Sequence, residues 1–436
     1  MDLAALAYAA YKKDEELERQ KRVVIARDMF EGAIDSNLLS QLDDALPGNT
    51  ENITGLFNAY ATVIEEVLNR LHVQQWVDAP ADGQPVAWAN EAWQLLDMDE
   101  KQYELFEYAL VDAEAFVILA PGKNPTTGAD QILPFIHRRW TSAEVDGDNE
   151  GCKAHYDNGR LAMVSKRWIE TYYDSKDKAQ TRQRMTLYVA ANGDEPAKVE
   201  RYTIEAGIPV PFAEEGDAVI VWPFAFPVIH FQNAGKRQQG QRAQGPQIFI
   251  DNLFADLGSA AGQQGSPMLS VIGGFPTTDG KAPNTDLSNV WKTGPNQIIG
   301  FPNKTPGEAS INHVPPGDLA QLLGAIDKAI MVLALTTGTT SLTANLVSGS
   351  NIGAEFLKQT DLRPVAATRQ RQAAFGNAFA RMMRTYALLT NALIPGQTLP
   401  IDGALHADWQ AADVRGLHPG DGDEAAAASQ PTEAQA

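Results

Sequence analysis

"SGSNIGAEFLKQTDLRPVAATRQRQAAFGNAFARMMR", Ser348–Arg384, runs from a polar, glycine-bearing segment into helical spacing. Phe375, Phe379, Met382, Met383 and Tyr386 recur at three- and four-residue steps, the period of one helix face. Pro364 falls inside that pattern and predicts a kink or restart near Leu362–Arg363, because proline removes an amide donor and crowds the preceding turn. Arg363, Arg369, Arg371, Arg381 and Arg384 stud the same stretch. A long helix entered from a polar loop is therefore the fixed point from which the rest is read.

Upstream, "PGDLAQLLGAIDKAIMVLAL" is a second helix, with Leu319, Leu322, Leu323, Ile326, Ile330 and Leu333 on its expected buried face and Asp318 where a carboxylate suits the helix dipole. Before it, 266–315 is rich in Gly, Pro, Asn and Thr, with short apolar runs "MLSVIGGF" and "QIIGFP", and reads as a small β module with long loops. Before that lies a helix of similar length over 245–265, with Ile250, Leu253, Phe254, Leu257 and Ala261 in one stripe. The Gly-, Gln- and Arg-rich "QNAGKRQQGQRAQGP" marks a boundary at its start.

Toward the N-terminus, "RLAMVSKRWIETYY", "RQRMTLYVAANGDEPAKVERYTI" and "DAVIVWPF" read as strands joined by turns, and "DEKQYELFEYALVDAEAF" as a helix leading into the strand "AFVILA". Leu56, Tyr60, Val63, Ile64, Val67, Leu68 and Leu71 mark a further helix, with Asn52 or Thr54 as candidate caps. Residues Leu3 to Arg27 read as a solvated, charged helical arm. The order is α+β with a β-rich insertion, not a βαβ repeat. From Pro395 the sequence loosens, and "GDGDEAAAASQPTEAQA" has the composition of a disordered end.

The 436 residues carry 35 basic and 55 acidic side chains, a formal charge of −20, which argues against a tight grip on nucleic-acid phosphates. With Cys152 the single cysteine, neither an intrachain disulfide nor a cysteine-built zinc site can form. The N-terminus lacks signal-peptide order, and "AVIVWPFAFPVIHF" is too short to span a bilayer, so the expectation is a soluble chain with no membrane partner.

Catalytic motifs are sparse. "GFPTTDGKA" has five residues between Gly274 and Gly280 where a phosphate loop has four, and Ala282 follows Lys281 where a magnesium-binding hydroxyl belongs. "GSNIG" puts its serine one place too early for a nucleophile elbow. The seven histidines show no zinc-ligand spacing; His137 reads as a surface or interface residue and His230 as a partly buried core residue. The expectation is a non-enzyme with no metal or cofactor.

The order of elements, and Ser348, Gly349, Ala354, Leu357, Lys358, Arg369, Gln370, Arg371, Gln372, Phe375 and Phe379 within it, resembles tailed-bacteriophage portal proteins of the siphophage type. "LFEYALVDAEAFVIL", "KRWIETYY" with its following strand pair, and "IFIDNLFADLGSAAGQQGSPMLSVIGG" are similar to further elements of that family. Ala113-Glu114 departs from it where a glycine often precedes the strand.

The resemblance implies a portal fold: a mixed wing over 1–235, a two-helix stem at 245–265 and 316–336, a small α/β clip at 266–315, a tunnel loop at 337–351, a long kinked wing helix at 352–392, and a helical or disordered crown region at 393–436. It implies a ring, usually a dodecamer, at one capsid vertex of the virion, assembled in the host cytoplasm. Double-stranded DNA would pass through without sequence specificity. Large terminase, a head–tail adaptor, the major capsid protein and scaffolding protein would be the partners. The loop residues Thr339, Thr340, Ser341, Leu342, Thr343, Asn345, Leu346, Val347 and Ser348 would line or pack the tunnel, Asp251, Asp256, Asp318 and Asp327 would include channel-facing stem residues, and the five arginines would meet acidic neighbours across subunits. The alternatives are another capsid-associated structural protein, such as a minor head protein or adaptor, and a DNA-processing enzyme.

Overall fold

The computed structural model describes residues 3–32, 58–80, 83–124, 128–173, 178–193, 195–212, 217–265, 269–272, 310–313, 319–339, 342, 354–401 and 403–412. The chain is α+β. It divides into two compact units, one of Met1–Glu31, Ala59–Gln244 and Ala334–Ala436, the other of Gly32–Asn58 and Gly245–Leu333.

In the first unit, helices α1 (Leu3–Ala10), α2 (Asp14–Glu31), α3 (Ala59–Leu68), α4 (Ala87–Leu95) and α5 (Met98–Val111) alternate with or precede the strands. β1 (Val73–Val77) pairs antiparallel with a late strand, while β2 (Glu114–Lys123) and β3 (Asp130–Arg138) form a hairpin. β4 (Gly151–Asp157), β5 (Arg160–Tyr173), β6 (Ala179–Val189), β7 (Ala197–Glu205) and β8 (Ile208–Pro211) follow in antiparallel order, with β9 (Val219–Trp222) also on β7. β10 (Val228–Gln232) returns to pair with β2, giving the order β10-β2-β3. Met185 and Leu187 on β6 bury against Ala4 and Ala7 of α1, whose small side chains let the helix lie close to the sheet. A second cluster joins Phe116 and Ile118 of β2, Cys152 of β4, Val164 of β5 and Val228 of β10. Burial pushes the Cys152 thiol up to about 12, so this cysteine is an inert core residue.

The second unit contains α6 (Gln244–Gly265) after its first residue, the antiparallel pair β11 (Leu269–Ile272) and β12 (Ser310–His313), and most of α7 (Leu319–Thr337). The chain returns to the first unit at Ala334, in the last turn of α7, and continues through α8 (Ala354–Leu393) and β13 (His406–Trp409), which pairs with β1. Phe375 and Phe379 of α8 are fully buried among aromatic rings: Phe379 lies 4.8 Å from Phe231, 5.1 Å from Trp93 and 5.7 Å from Phe106, in edge-to-face geometry. This cluster ties α8 to α4, α5 and β10.

Three expectations need correction. Residues Leu3–Arg27 are not a solvated arm: Gln20, Val23, Ala26 and Arg27 of α2 are buried. α8 runs unbroken through Pro364, with no restart at Leu362–Arg363. Beyond Pro395 the described chain is irregular except for β13, which pairs with β1 and sets Trp409 5.8 Å from Phe106, while the acidic "GDGDEAAAASQPTEAQA" lies outside the described residues. A large aromatic late in the sequence outweighed the weak local pattern there. The helix expected from Asn52 onward is seen as Ala59–Leu68, with Tyr60, Val63, Ile64 and Val67 buried; Asn52, Thr54 and Leu56 lie outside the described residues. "QIIGFP" also lies outside them.

Candidate functional site

The segment expected to line a tunnel begins where α7 stops. Gly338 takes φ +77°, the left-handed conformation that ends a helix without a Cβ clash. Its amide donates to Ala334 O at 2.8 Å, and the Thr339 amide to the same oxygen at 3.1 Å. The Arg363 guanidinium donates to Leu335 O at 3.0 Å, placing a cation on the carbonyl end of α7. The Arg363 side chain is packed so close that a Cβ on residue 338 would lie 3.0 Å from it. The start of the segment is therefore pinned.

Thr339 is buried, its hydroxyl 2.7 Å from that of Thr337, and Leu342 is buried as well. Both were expected on a loop facing a channel or a neighbour; in this chain they are covered by their own fold. Thr340, Ser341, Thr343, Asn345, Leu346, Val347 and Ser348 lie outside the described residues, as does Asp318.

Asp256 and Asp327 are exposed. Asp251 is half-buried; burial raises its carboxyl, and the 2.7 Å hydrogen bond donated by Gln247 Nε2 offsets part of that rise. The arginines of α8 divide into three kinds. Arg363 caps α7. Arg371 is buried inside the chain, donating to Ala367 O at 2.5 Å and to Gln239 Oε1, and burial lowers it to about 10. It is not available to an acidic neighbour, which corrects the interface expectation for this residue. The signal was legible: Arg371 lies four residues before Phe375, on the core stripe. Arg369, Arg381 and Arg384 are exposed.

The exposed side of α7 is mixed, with apolar side chains standing open beside Gln321, Asp327, Lys328 and Thr336. Leu323, Met331 and Leu335 are each half or more open to solvent or nearly so, and Ile248 and Phe249 near the start of α6 are similarly exposed. Leu323 was expected to be buried. α7 is long and apolar enough to cross a membrane by length and composition, although Asp327 and Lys328 stand exposed near its middle.

Sequence reasoning missed the charge cluster that fastens α2. Arg27 forks onto Asp112 with Nη2 at 2.7 Å and Nε at 3.0 Å, and Nη1 reaches Asp148 at 2.8 Å and Thr141 Oγ1 at 3.1 Å. Burial alone would lower the guanidinium; Asp112 and Asp148 more than offset it. Arg139, buried, holds Glu16 of α2 at 2.5 Å and Glu114 of β2. Burial would raise Glu114, but Arg139, His230 and Arg19 hold it far below the usual carboxylate range. Glu16 follows the same logic, with Arg139 and Lys153 overcoming burial. His137, expected at the surface, is half-buried, and burial with nearby Lys166 lowers it to about 3. His230, expected to be partly buried, is fully so and pairs with Glu114 at 2.9 Å.

Among the described residues no cluster of His, Cys, Asp or Glu could hold a metal ion. Neither the models of known protein families nor the curated proteins match this chain.

Proposed function

We propose that this chain is a portal-type ring subunit: copies close around an axial channel at a capsid vertex, and DNA passes through the hole on packaging and ejection. The observation that carries this reading is the excursion between Gln244 and Thr337. A helix leaves the α+β body, an antiparallel pair closes an insert of roughly fifty residues, and a helix of similar length returns to a long helix anchored in the body. In the portal reading these are stem, clip, stem and wing helix.

The exposed apolar residues of α6 and α7 support it. Side chains such as Phe249, Leu323, Met331 and Leu335 leave an apolar surface of the kind that neighbouring subunits cover. Burial in a bilayer is the competing use of α7. Asp327 and Lys328 weigh against it, since a charge at mid-membrane costs about 2.5–3.5 kcal/mol even on the lenient insertion scale. Exposed Asp256 fits a wall that tolerates a passing duplex without gripping it, whereas Asp327 shares its helix face with Leu323 and Met331, the face that neighbouring subunits would cover. Arg369 of α8 is exposed and can meet an acidic partner on the next subunit.

Negative-stain microscopy of the purified full-length chain tests the reading. Rings with a central hole are expected. Compact single particles, or material that partitions into detergent micelles instead, would contradict it.

A further inference from the structure

A cavity of about 970 Å³ opens within the first unit between α8, β10 and the β4–β5 turn. Arg160, Lys236, Arg381 and Arg384 line it, and no carboxylate does. On a chain where acids outnumber bases 55 to 35, four cations around one concavity with no acid among them are an unusual local field. None of the four forms an ion pair with a described residue. Among the described residues the Arg160 guanidinium donates to Ala191 O alone, at 3.2 Å.

A second, independent feature points into the same space. Tyr156 lines the cavity, and its hydroxyl is held 2.7 Å from His230 Nδ1. His230 is buried, stacked on Phe116 at 4.5 Å, and its Nε2 is 2.9 Å from Glu114 Oε2. In the tautomer whose Nε2–H donates to the Glu114 carboxylate, Nδ1 accepts the phenolic proton, which leaves the Tyr156 oxygen at the cavity lining as an acceptor. Leu161, Phe226 and Ala378 add apolar surface to the lining, beside the polar Gln232, Asn233, Asn377 and Thr385. The cavity thus offers cations for an anion, an oriented acceptor for a ligand donor, and apolar surface for an organic body. Its volume sits at the upper end of the range for small-molecule sites.

We propose that this cavity binds an organic phosphate that carries free hydroxyl groups, of the size of a nucleoside diphosphate. The phosphates lie among Arg160, Lys236, Arg381 and Arg384, whose charge-assisted hydrogen bonds suit phosphate oxygens. A hydroxyl donates to Tyr156 Oη, and the organic body covers Phe226 and Leu161. The proposal does not depend on ring assembly.

Calorimetric titration of the full-length chain, in whatever oligomer it forms, with magnesium-free ADP and separately with pyrophosphate tests it. ADP is expected to bind, and pyrophosphate about tenfold more weakly, since it has no donor for Tyr156 and no apolar body. Arg160→Gln at the start of β5 and Arg381→Gln on α8 should each weaken ADP by about tenfold or more at an unchanged melting temperature. Tyr156→Phe should weaken ADP and leave pyrophosphate as it was. No ADP binding at millimolar concentration, or binding indifferent to both arginine changes, would overturn the proposal. Binding of duplex DNA or an acidic peptide through the same arginines, without ADP, would overturn the ligand class.

Discussion

Helices α2 and α7 invert what their sequences suggest. α2 is one of the most charged segments of the chain, yet Gln20, Val23, Ala26 and Arg27 are buried. α7 is the more apolar of the two, yet Leu323, Met331 and Leu335 stand open. Burial follows the partners that the fold supplies, not hydropathy by itself. α2 finds Asp112, Asp148, Arg139 and Glu114 on distant parts of the chain, and a buried charge is tolerable only when so paired. For α7, the proposed ring supplies the missing cover from other copies.

The strongest test of the comparison removes the pairing and keeps the bulk. Arg27→Met leaves the buried Asp112 with one fewer cation and should cost about 3–5 kcal/mol, read from the midpoint of denaturant unfolding. A loss under about 1 kcal/mol would mean that the cluster contributes little to anchoring α2.

Acid should act on the same region. His137 and His155 are lowered by burial to about 3 and about 4, so the unfolded chain binds protons below pH ~6.5 that the folded one refuses. Glu16 and Glu114 are depressed, so their stabilisation is present above the unfolded carboxylate value and is lost as pH falls through the folded one. All four therefore weaken the fold on acidification. Stability is expected to fall from pH 6.5 downward, and His137→Leu should flatten that slope between about pH 6.5 and 3. A profile level down to pH 4 would contradict these assignments.

Gly338→Ala should cost about 1–2 kcal/mol, because the left-handed conformation is strained for alanine and the new methyl meets Arg363. Its readout is thermal unfolding. Arg371 then sharpens the contrast with Arg27. Its guanidinium is equally enclosed, but among the described residues it meets neutral acceptors only. Arg371→Met should shift stability by less than about 1 kcal/mol, in either direction, because the desolvation of the charge disappears with its hydrogen bonds. A loss as large as that of Arg27→Met would mean that the two buried arginines are equivalent.

Much of the architecture was legible. β5 spans the same Arg160–Tyr173 that reads as a strand, and Phe375, Phe379, Met382 and Met383 are all buried as their spacing predicts. The two-residue and 3.6-residue periods are properties of the local chain, so local sequence carries them. The burial of α2 was not legible, because the acceptors of Arg27 lie 85 to 121 positions away. β13 was hidden for the same reason: its partner, β1, is more than 300 positions upstream. Of the candidate site, helix phase could have separated buried Arg371 from exposed Arg369. The enclosure of Thr339 depends on how α7 ends, which no residue type announces except Gly338.

The central claim is that the exposed face of α7 is covered by further copies of the chain. Sedimentation equilibrium of the wild-type chain beside the double variant Met331→Asp/Leu335→Asp tests it most directly. The account predicts a closed multi-subunit mass for the wild type, and a monomer with unfolding within about 0.5 kcal/mol of the wild type for the variant, as expected of exposed positions. A wild-type chain that stays monomeric at micromolar concentration, or a variant that assembles as well as its parent, would contradict it.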